Sequence, residues 1–193
     1  MIICLVLFLR ALGCVPVSEH PLTEPDAAER DPRLMGDWYQ QGEDESVQVH
    51  IGFREETGGL RLLMVDYDRD GKLDLSEWKG HISRLDGNRY LNLKDVRCGQ
   101  EERGYLFVKY RIEGDRLCVS LASKRAWEAA VAEGRIQGRL DRKKGVRSVH
   151  ITEGPEGLRR FVREQDRRLF PEESCLQRLR LPVMNPPPVK PGP

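Results

Sequence analysis

Apolar and polar residues alternate with a period of two through most of the chain between residues 47 and 121. The apolar positions of these runs are Val47, Val49, Ile51, Phe53, Leu60, Leu62, Met64, Leu73, Leu75, Leu106, Val108, Tyr110, Ile112, Leu117, Val119 and Leu121. Such alternation is typical of β-strands with one buried face. Short turn sequences separate the runs, namely Gly58-Gly59, Asp70-Gly71, Asp86-Gly87-Asn88 and Gly114-Asp115. The pattern therefore predicts an antiparallel meander that forms a small barrel or a strongly curved sheet.

Two segments change to helical spacing. Ser123 can cap a helix that carries Trp127 and ends at Gly134. After a predicted strand at residues 146–151, Gly154-Pro155 opens a second helix, whose apolar stripe is Leu158, Phe161, Val162 and Leu169. We interpret both helices as flanking or plugging the sheet. The fold class predicted is thus mainly β (α+β), an antiparallel barrel or half-barrel with two flanking helices.

Composition shifts divide the chain of 193 residues into four parts. Residues 1–14 are largely apolar, and residues 15–33 are polar with four prolines, which is typical of a tether. Residues 34–180 form the predicted globular unit. Residues 181–193 contain six prolines and are predicted to be an extended tail.

The apolar run at residues 2–9 suits the apolar region of an export signal. Small residues then lead to a cysteine in Ala11-Leu12-Gly13-Cys14, which resembles a bacterial lipobox. The resemblance implies cleavage before Cys14, lipid attachment to its thiol, and a lipid-anchored or secreted protein on the periplasmic face of a bacterial cell envelope. The alternative is a buried N-terminal strand, since an apolar run of this length also fits one.

Charge and motifs limit the possible functions. Lys plus Arg number 32 and Asp plus Glu number 31, so no strong field steers the chain toward nucleic acid. No nucleophile motif, phosphate loop or Cys/His signature indicates an enzyme or a zinc site. One disulfide among Cys98, Cys118 and Cys175 would leave a free thiol, and the spacing leaves the pairing open.

The order of several motifs resembles a group of uncharacterised bacterial lipocalin-like lipoproteins. The resemblance rests on four segments: Gly36-Asp37-Trp38 at the domain start, residues 112–117, the Trp127 helix, and His150-Ile151-Thr152 leading into residues 158–170. The resemblance covers residues 34–171. It implies a lipocalin-like barrel whose Trp38 indole closes one end, attachment to a membrane, and no established activity.

Residues 66–78 also match an EF-hand calcium loop. Calcium takes about six to eight oxygen ligands. The match predicts carboxylate ligands at Asp66, Asp68 and Asp70, a backbone carbonyl from Lys72, a direct or water-mediated contact from Asp74, and a bidentate Glu77. Gly71 would permit the sharp turn.

The surroundings of this loop favour a different structure. An EF-hand needs a helix on each side, whereas the alternation at residues 60–65 favours a strand and Gly80 leaves little room for a helix. The alternative is a β-hairpin that turns at Asp70-Gly71. Its acidic tip could still bind calcium weakly.

The sequence thus predicts an exported, membrane-anchored and non-catalytic protein, acting as a binding or envelope-structural module. Its partners would be membrane lipid at the N-terminus and a small apolar ligand or an envelope protein. The alternative function is calcium binding through the loop at residues 66–77.

Overall fold

The computed structural model describes residues 15–26, 29–42, 46–54, 59–67, 70–96, 104–143 and 146–180. Eight antiparallel strands form a closed barrel in the order β11-β2-β3-β4-β5-β6-β7-β8. Their bounds are β2 Gly36–Gln41, β3 Ser46–Phe53, β4 Leu60–Tyr67, β5 Leu73–Leu85, β6 Asn88–Asp95, β7 Leu106–Glu113, β8 Arg116–Leu121 and β11 Ser174–Arg178. The predicted fold class is confirmed: of the two predicted forms, barrel and half-barrel, the structure has the closed barrel.

The alternating pattern sets which side chains face the barrel interior. In β4, Leu60, Leu62 and Met64 are buried while Arg61 between them is exposed. The same alternation supplies the interior core, which is made by Leu34, Trp38, Val47, Ile51, Leu60, Leu62, Met64, Trp78, Ile82, Leu91, Leu93, Val108, Tyr110, Leu117, Val119 and Leu176. Burial of these side chains is the main favourable term for closing the sheet.

A second layer covers one side of the barrel wall. It consists of a three-stranded sheet, β1-β10-β9, and two helices. Their bounds are β1 Val17–Ser18, β9 Gly138–Lys143, β10 Val146–Ile151, α1 Lys124–Ala132 and α2 Pro155–Leu169. The whole layer except β1 lies between β8 and β11 in the chain.

A separate apolar core joins the two layers. Tyr90 and Phe107 project from the outer wall, and Trp127 and Phe161 project from the helices. The Trp127 ring lies 5.5 Å from the Phe161 ring, between centroids. The apolar stripes that predicted the helices therefore serve to dock them, as the sequence analysis proposed.

The helix ends follow the predicted signals. Ser123 accepts a hydrogen bond from the Ala126 amide at 3.3 Å, and the chain leaves α1 through Gly134 at a φ of 67°. Pro155 is the first residue of α2, where its missing amide hydrogen is harmless.

Residues 15–26 differ from the predicted tether. Ser18 is 1% exposed and Leu22 is completely buried, so this segment is a strap packed on the outer wall. The strap begins with β1, which pairs in parallel with β10. Its polar and proline-rich composition concealed this, because its burial depends on partners far away in sequence.

None of the helices that the structure describes is long and apolar enough to span a bilayer.

Candidate functional site: the barrel interior

The barrel encloses an apolar cavity of about 90 Å³. Every lining residue is apolar: Val15, Val49, Ile51, Leu62, Met64, Trp78, Leu91, Leu93, Leu106, Phe107, Val108, Leu117, Val119, Leu121 and Leu176. The cavity is smaller than the roughly 300–1,000 Å³ of a drug-sized ligand pocket and than the ~150 Å³ cavity that admits benzene. It therefore suits a short aliphatic group.

Trp38 closes the barrel at the end where β2 begins. The indole is completely buried, and its Nε1 donates to the Leu34 carbonyl at 2.8 Å. Leu34 belongs to a short 3-10 helix, Pro32–Leu34, that lies directly before β2. The closing role that the resemblance implied for Trp38 is consistent with this geometry.

Arg178, at the end of the last strand, holds this closure together. Its guanidinium lies 4.0 Å from the centre of the Trp38 ring, a cation–π contact. The same group donates to the carbonyl oxygens of Met35, at 2.7 Å, and Arg33. The Arg178 side chain thus adds to the backbone pairing of the first and last barrel strands.

A buried carboxylate, Asp31, organises the polar groups beside this closed end. Arg33 binds it at 2.9 Å, Arg89 lies at 3.7 Å, and the Tyr110 hydroxyl donates to it at 3.5 Å. Burial alone would raise the pKa of Asp31, but the hydrogen bonds and charge of Arg33, aided by Arg89, hold that pKa below its ordinary 3.8. Burial, with the nearby Asp31 charge, raises the pKa of Tyr110.

At the opposite end of the barrel, the described strands carry acidic side chains. It is the end where β4 joins β5 and β6 leads toward β7. Asp66 is 3% exposed and follows Leu62 and Met64 on the interior face of β4. Its partner across the ladder is Asp74 of β5, which is exposed.

The predicted calcium ligands lie on a β-hairpin, with strand on both sides rather than helix. The hairpin places Asp66 and Asp74 opposite each other, and Asp70 and Lys72 lie in its turn. Glu77 is on the other face, where it accepts from Arg61 Nε at 2.5 Å. Asp68 lies outside the described residues, as does Cys14.

These carboxylates do not form a compact group in the described part of the chain. The one set of three ligand atoms within 4.8 Å found there comprises Cys118, Glu173 and Cys175. Cys118 and Cys175 are joined in a disulfide, so their sulfurs do not offer thiolates to a metal.

That disulfide resolves the pairing that the sequence left open. Cys118 and Cys175 are direct partners on β8 and β11 and are separated by 57 positions in sequence. Cys98 lies outside the described residues. The segment that contains α1, β9, β10 and α2 leaves the barrel after β8 and returns at β11. The disulfide therefore joins the two strands at which this excursion begins and ends.

A buried polar network attaches the strap to the outer wall. Asn92 accepts from the Leu22 amide at 2.8 Å and donates to Ser83 at 2.7 Å. His81 Nε2 lies 2.7 Å from the Thr23 carbonyl and donates to it. Burial lowers the pKa of His81 below 6.5, although the Thr23 carbonyl and the charge of Glu24 act in the opposite direction.

A second cavity, of about 370 Å³, has a mixed polar and apolar lining that includes Arg89 and Phe170. Its basic side chains already have acidic partners in the fold. Lys109 binds Asp166, and Arg111 binds Glu173 at 2.6 Å. An anionic ligand would have to displace these pairs, so the apolar interior is the better candidate for a binding site.

Sequence reasoning missed Asp31, Arg89 and Arg178 as site residues. In the last strand, the apolar Leu176 alone, between Cys175 and Gln177, is too short a signal to predict a strand. Nothing local indicates that Arg178 would meet Trp38, which is 140 positions earlier.

Comparison of the chain with family models, curated proteins and solved structures finds no match. The resemblance to lipocalin-like lipoproteins therefore stays a prediction, and function has to be argued from the geometry.

Proposed function

We propose that this protein is an exported, membrane-anchored and non-catalytic binding module that holds a small apolar ligand in its barrel. The observation that carries the proposal is the apolar cavity inside a barrel that Trp38 closes at one end. A dry cavity with an apolar wall gains free energy when an aliphatic group fills it.

Two features support the export part of the proposal. Disulfides persist in oxidising compartments, and the bond between Cys118 and Cys175 is consistent with a protein in such a compartment. The apolar run at residues 2–9 and the lipobox-like Cys14 supply a signal and an anchor.

Binding can be tested with 1-butanol as the probe. We expect saturable binding, measured by calorimetry and by the fluorescence of Trp78, which lines the cavity. Val108→Phe fills the cavity and should weaken binding at least about tenfold. Leu140→Phe, at a residue 46% exposed on the second layer, is the control and should bind like the parent.

A second variant covers the case in which Val108→Phe does not fold. Leu91→Ala enlarges the cavity and should strengthen binding of 1-hexanol relative to 1-butanol. The proposal of a binding cavity would be abandoned if the parent protein bound no alcohol, or if the cavity variants bound like the Leu140 control.

The anchor can be tested by expressing the full chain in a bacterium. We expect the protein in the membrane fraction and in the detergent-rich phase of a Triton X-114 partition. Cys14→Ser should release it to the aqueous phase, whereas Cys98→Ser should not. An unchanged partition of Cys14→Ser would exclude lipid attachment at that residue.

Calcium binding is the second candidate function. It is favoured by the direct pairing of Asp66 with Asp74 around the turn that holds Asp70. Because the hairpin separates Glu77 from these residues, we expect weak affinity, in the range of about 10⁻³ M, rather than that of an EF-hand sensor.

Calorimetric titration of the calcium-free protein checks this second function. On the hairpin, Asp74→Asn should weaken binding while Glu77→Gln leaves it unchanged. Loss of binding in Glu77→Gln would instead indicate an EF-hand-like loop, and the absence of any saturable heat would reject calcium as a ligand.

A further inference from the structure

An exposed apolar patch lies on the β4–β5 hairpin, on the outer side of the barrel wall. Leu73 and Leu75 are 52% and 54% exposed, and Tyr67 is also exposed. In the ladder, Tyr67 lies directly opposite Leu73, and the half-buried Val65 lies directly opposite Leu75. Side chains paired in this way are in contact. We call these four residues the hairpin face. Clustered exposed apolar side chains are typical of surfaces that contact a protein or a membrane.

The carboxylates of the two strands leave this face apolar. Successive side chains of a strand point to opposite sides of the sheet, so Asp66 and Asp74 lie on the side of the wall away from the hairpin face. Glu77 is on the same side as the hairpin face but farther from the turn, where Arg61 binds it. The hairpin face can therefore leave water without an unpaired strand carboxylate.

The described part of the chain begins at the same end of the barrel. Val15 lines the apolar cavity together with Leu93 and Leu106, which pair with each other near the end of β6 and the start of β7. This is also the end at which β4 joins β5. Lipid on Cys14 would be attached one residue from Val15, since neighbouring Cα atoms are about 3.8 Å apart. It would therefore hold this end of the barrel on a bilayer, and not the end that Trp38 closes.

The attachment point is close to packed structure. Residues 15–26 form the strap, in which Ser18 and Leu22 are buried, so an anchor at Cys14 has little freedom to move away from the barrel. Such a short link makes a weak second contact with the same membrane intramolecular. Tyrosine is enriched at the boundary between headgroups and acyl chains, and Tyr67 belongs to the hairpin face.

Resting on the lipid attachment in the proposed function, we propose that the hairpin face is a second membrane contact, held at the headgroup–acyl boundary of the bilayer that carries the Cys14 lipid. The barrel stands on the membrane at its β4–β5 end, and Trp38 and Arg178 lie farthest from the lipid. Asp70 and Lys72, in the turn of the hairpin, stay among the polar headgroups.

Brominated lipid tests this contact, because bromine quenches the fluorescence of a tryptophan that touches it. The full-length, lipid-anchored protein is placed in phosphatidylcholine vesicles whose acyl chains carry bromine. Leu75→Trp adds an indole to the hairpin face. Leu179→Trp is the matched control, because Leu179 is exposed and follows Arg178 at the closed end.

The three native tryptophans are buried, and their signal is measured on the parent protein and subtracted. We expect brominated lipid to quench the added fluorescence of Leu75→Trp at least about twofold more than that of Leu179→Trp. Leu73→Trp repeats the measurement at the neighbouring position if Leu75→Trp does not fold, and the same result is expected.

Vesicle flotation separates failure of this inference from failure of the anchor. If the parent protein floats with the vesicles but bromine quenches the hairpin variants no more than Leu179→Trp, the inference is overturned and the anchor stands. Emission that shifts to shorter wavelength without quenching would assign the hairpin face to a second copy of the chain and would also overturn it. A parent protein that does not float would overturn the lipid anchor, and this inference with it.

Discussion

At the scale of single residues, Arg178 combines several contacts at the closed end of the barrel. It stacks on Trp38, donates to two carbonyls and lies 3.9 Å from Asp115. Lysine could supply the charge but not the planar fork that makes these contacts together. The closed end of the barrel therefore depends on an arginine at this position.

We expect Arg178→Ala to lower the free energy of unfolding by about 2–3 kcal/mol, because the cation–π contact and two hydrogen bonds are lost. Arg180→Ala is the control: Arg180 pairs with Asp115 at the surface, and its loss should cost at most about 0.5 kcal/mol. Urea unfolding followed by tryptophan fluorescence compares them, and equal effects would contradict the role given to Arg178.

His81 makes stability depend on pH. Its pKa in the folded protein lies below the 6.5 of the exposed side chain, so the unfolded chain binds a proton more readily. This contribution is fully present above the unfolded pKa. It is lost as pH falls through 6.5 toward the lower folded pKa.

We therefore expect the free energy of unfolding to decline between about pH 7 and pH 5. His81→Gln retains a donor for the Thr23 carbonyl without titrating, so it should flatten this decline. His50→Gln, whose histidine is exposed and pairs with Asp37 at 2.8 Å, is the control. An unchanged slope in His81→Gln would assign the decline to other groups.

At the scale of elements, the sequence predicted most strands because period-two alternation is a local signal. β3, β4, β7 and β8 all lie where alternating runs predicted them, and Ser123 and Pro155 mark the helix starts. Four strands escaped this reasoning for a physical reason. β2 and β11 each carry a single buried side chain, Trp38 and Leu176, so neither has an alternating apolar run. β9 has little apolar character and its Leu140 is 46% exposed, and β1 has two residues whose pairing depends on β10.

The same argument explains the loop at residues 66–78. Its carboxylate spacing matches a calcium loop, but the flanking alternation decides the backbone, and that pattern forms a hairpin. Ligand spacing in sequence is therefore a weaker signal than the periodicity of the segments that carry it. The period-two pattern predicts that Asp66 points to the interior face of β4. The cavity beside it could not be predicted, because its volume depends on how eight strands close into a barrel.

At the scale of the whole molecule, the disulfide between β8 and β11 restrains a long segment. Removing it frees the unfolded chain, and a closed loop of this length is worth about 4 kcal/mol in the chain-entropy view. We expect Cys118→Ala/Cys175→Ala to lose about 2–4 kcal/mol of unfolding free energy in urea.

Reductant supplies the control for that measurement. Dithiothreitol should destabilise the parent protein to the same degree and should leave the double variant unchanged. A parent protein insensitive to reductant would contradict a stabilising disulfide.

The strap offers a test of how far the globular unit extends. Leu22 is completely buried in the outer core, so Leu22→Ala should cost about 2–5 kcal/mol. Leu140→Ala, at an exposed position, should change the stability by less than about 0.5 kcal/mol. If urea unfolding shows equally small losses of stability for Leu22→Ala and Leu140→Ala, residues 15–26 act as a tether rather than as part of the globular unit.

The position of β11 has a consequence for the order of folding. β2 to β8 each pair with a neighbour in sequence, so they can form a sheet whose outer strands are β2 and β8. The outer edges of these two strands stay unpaired until β11, which follows α2 in the chain, inserts between them. Closure requires contacts distant along the chain and is therefore expected to be slow. During that interval two unpaired strand edges can pair with other copies, so a newly synthesised chain is most prone to aggregate before its last strand docks.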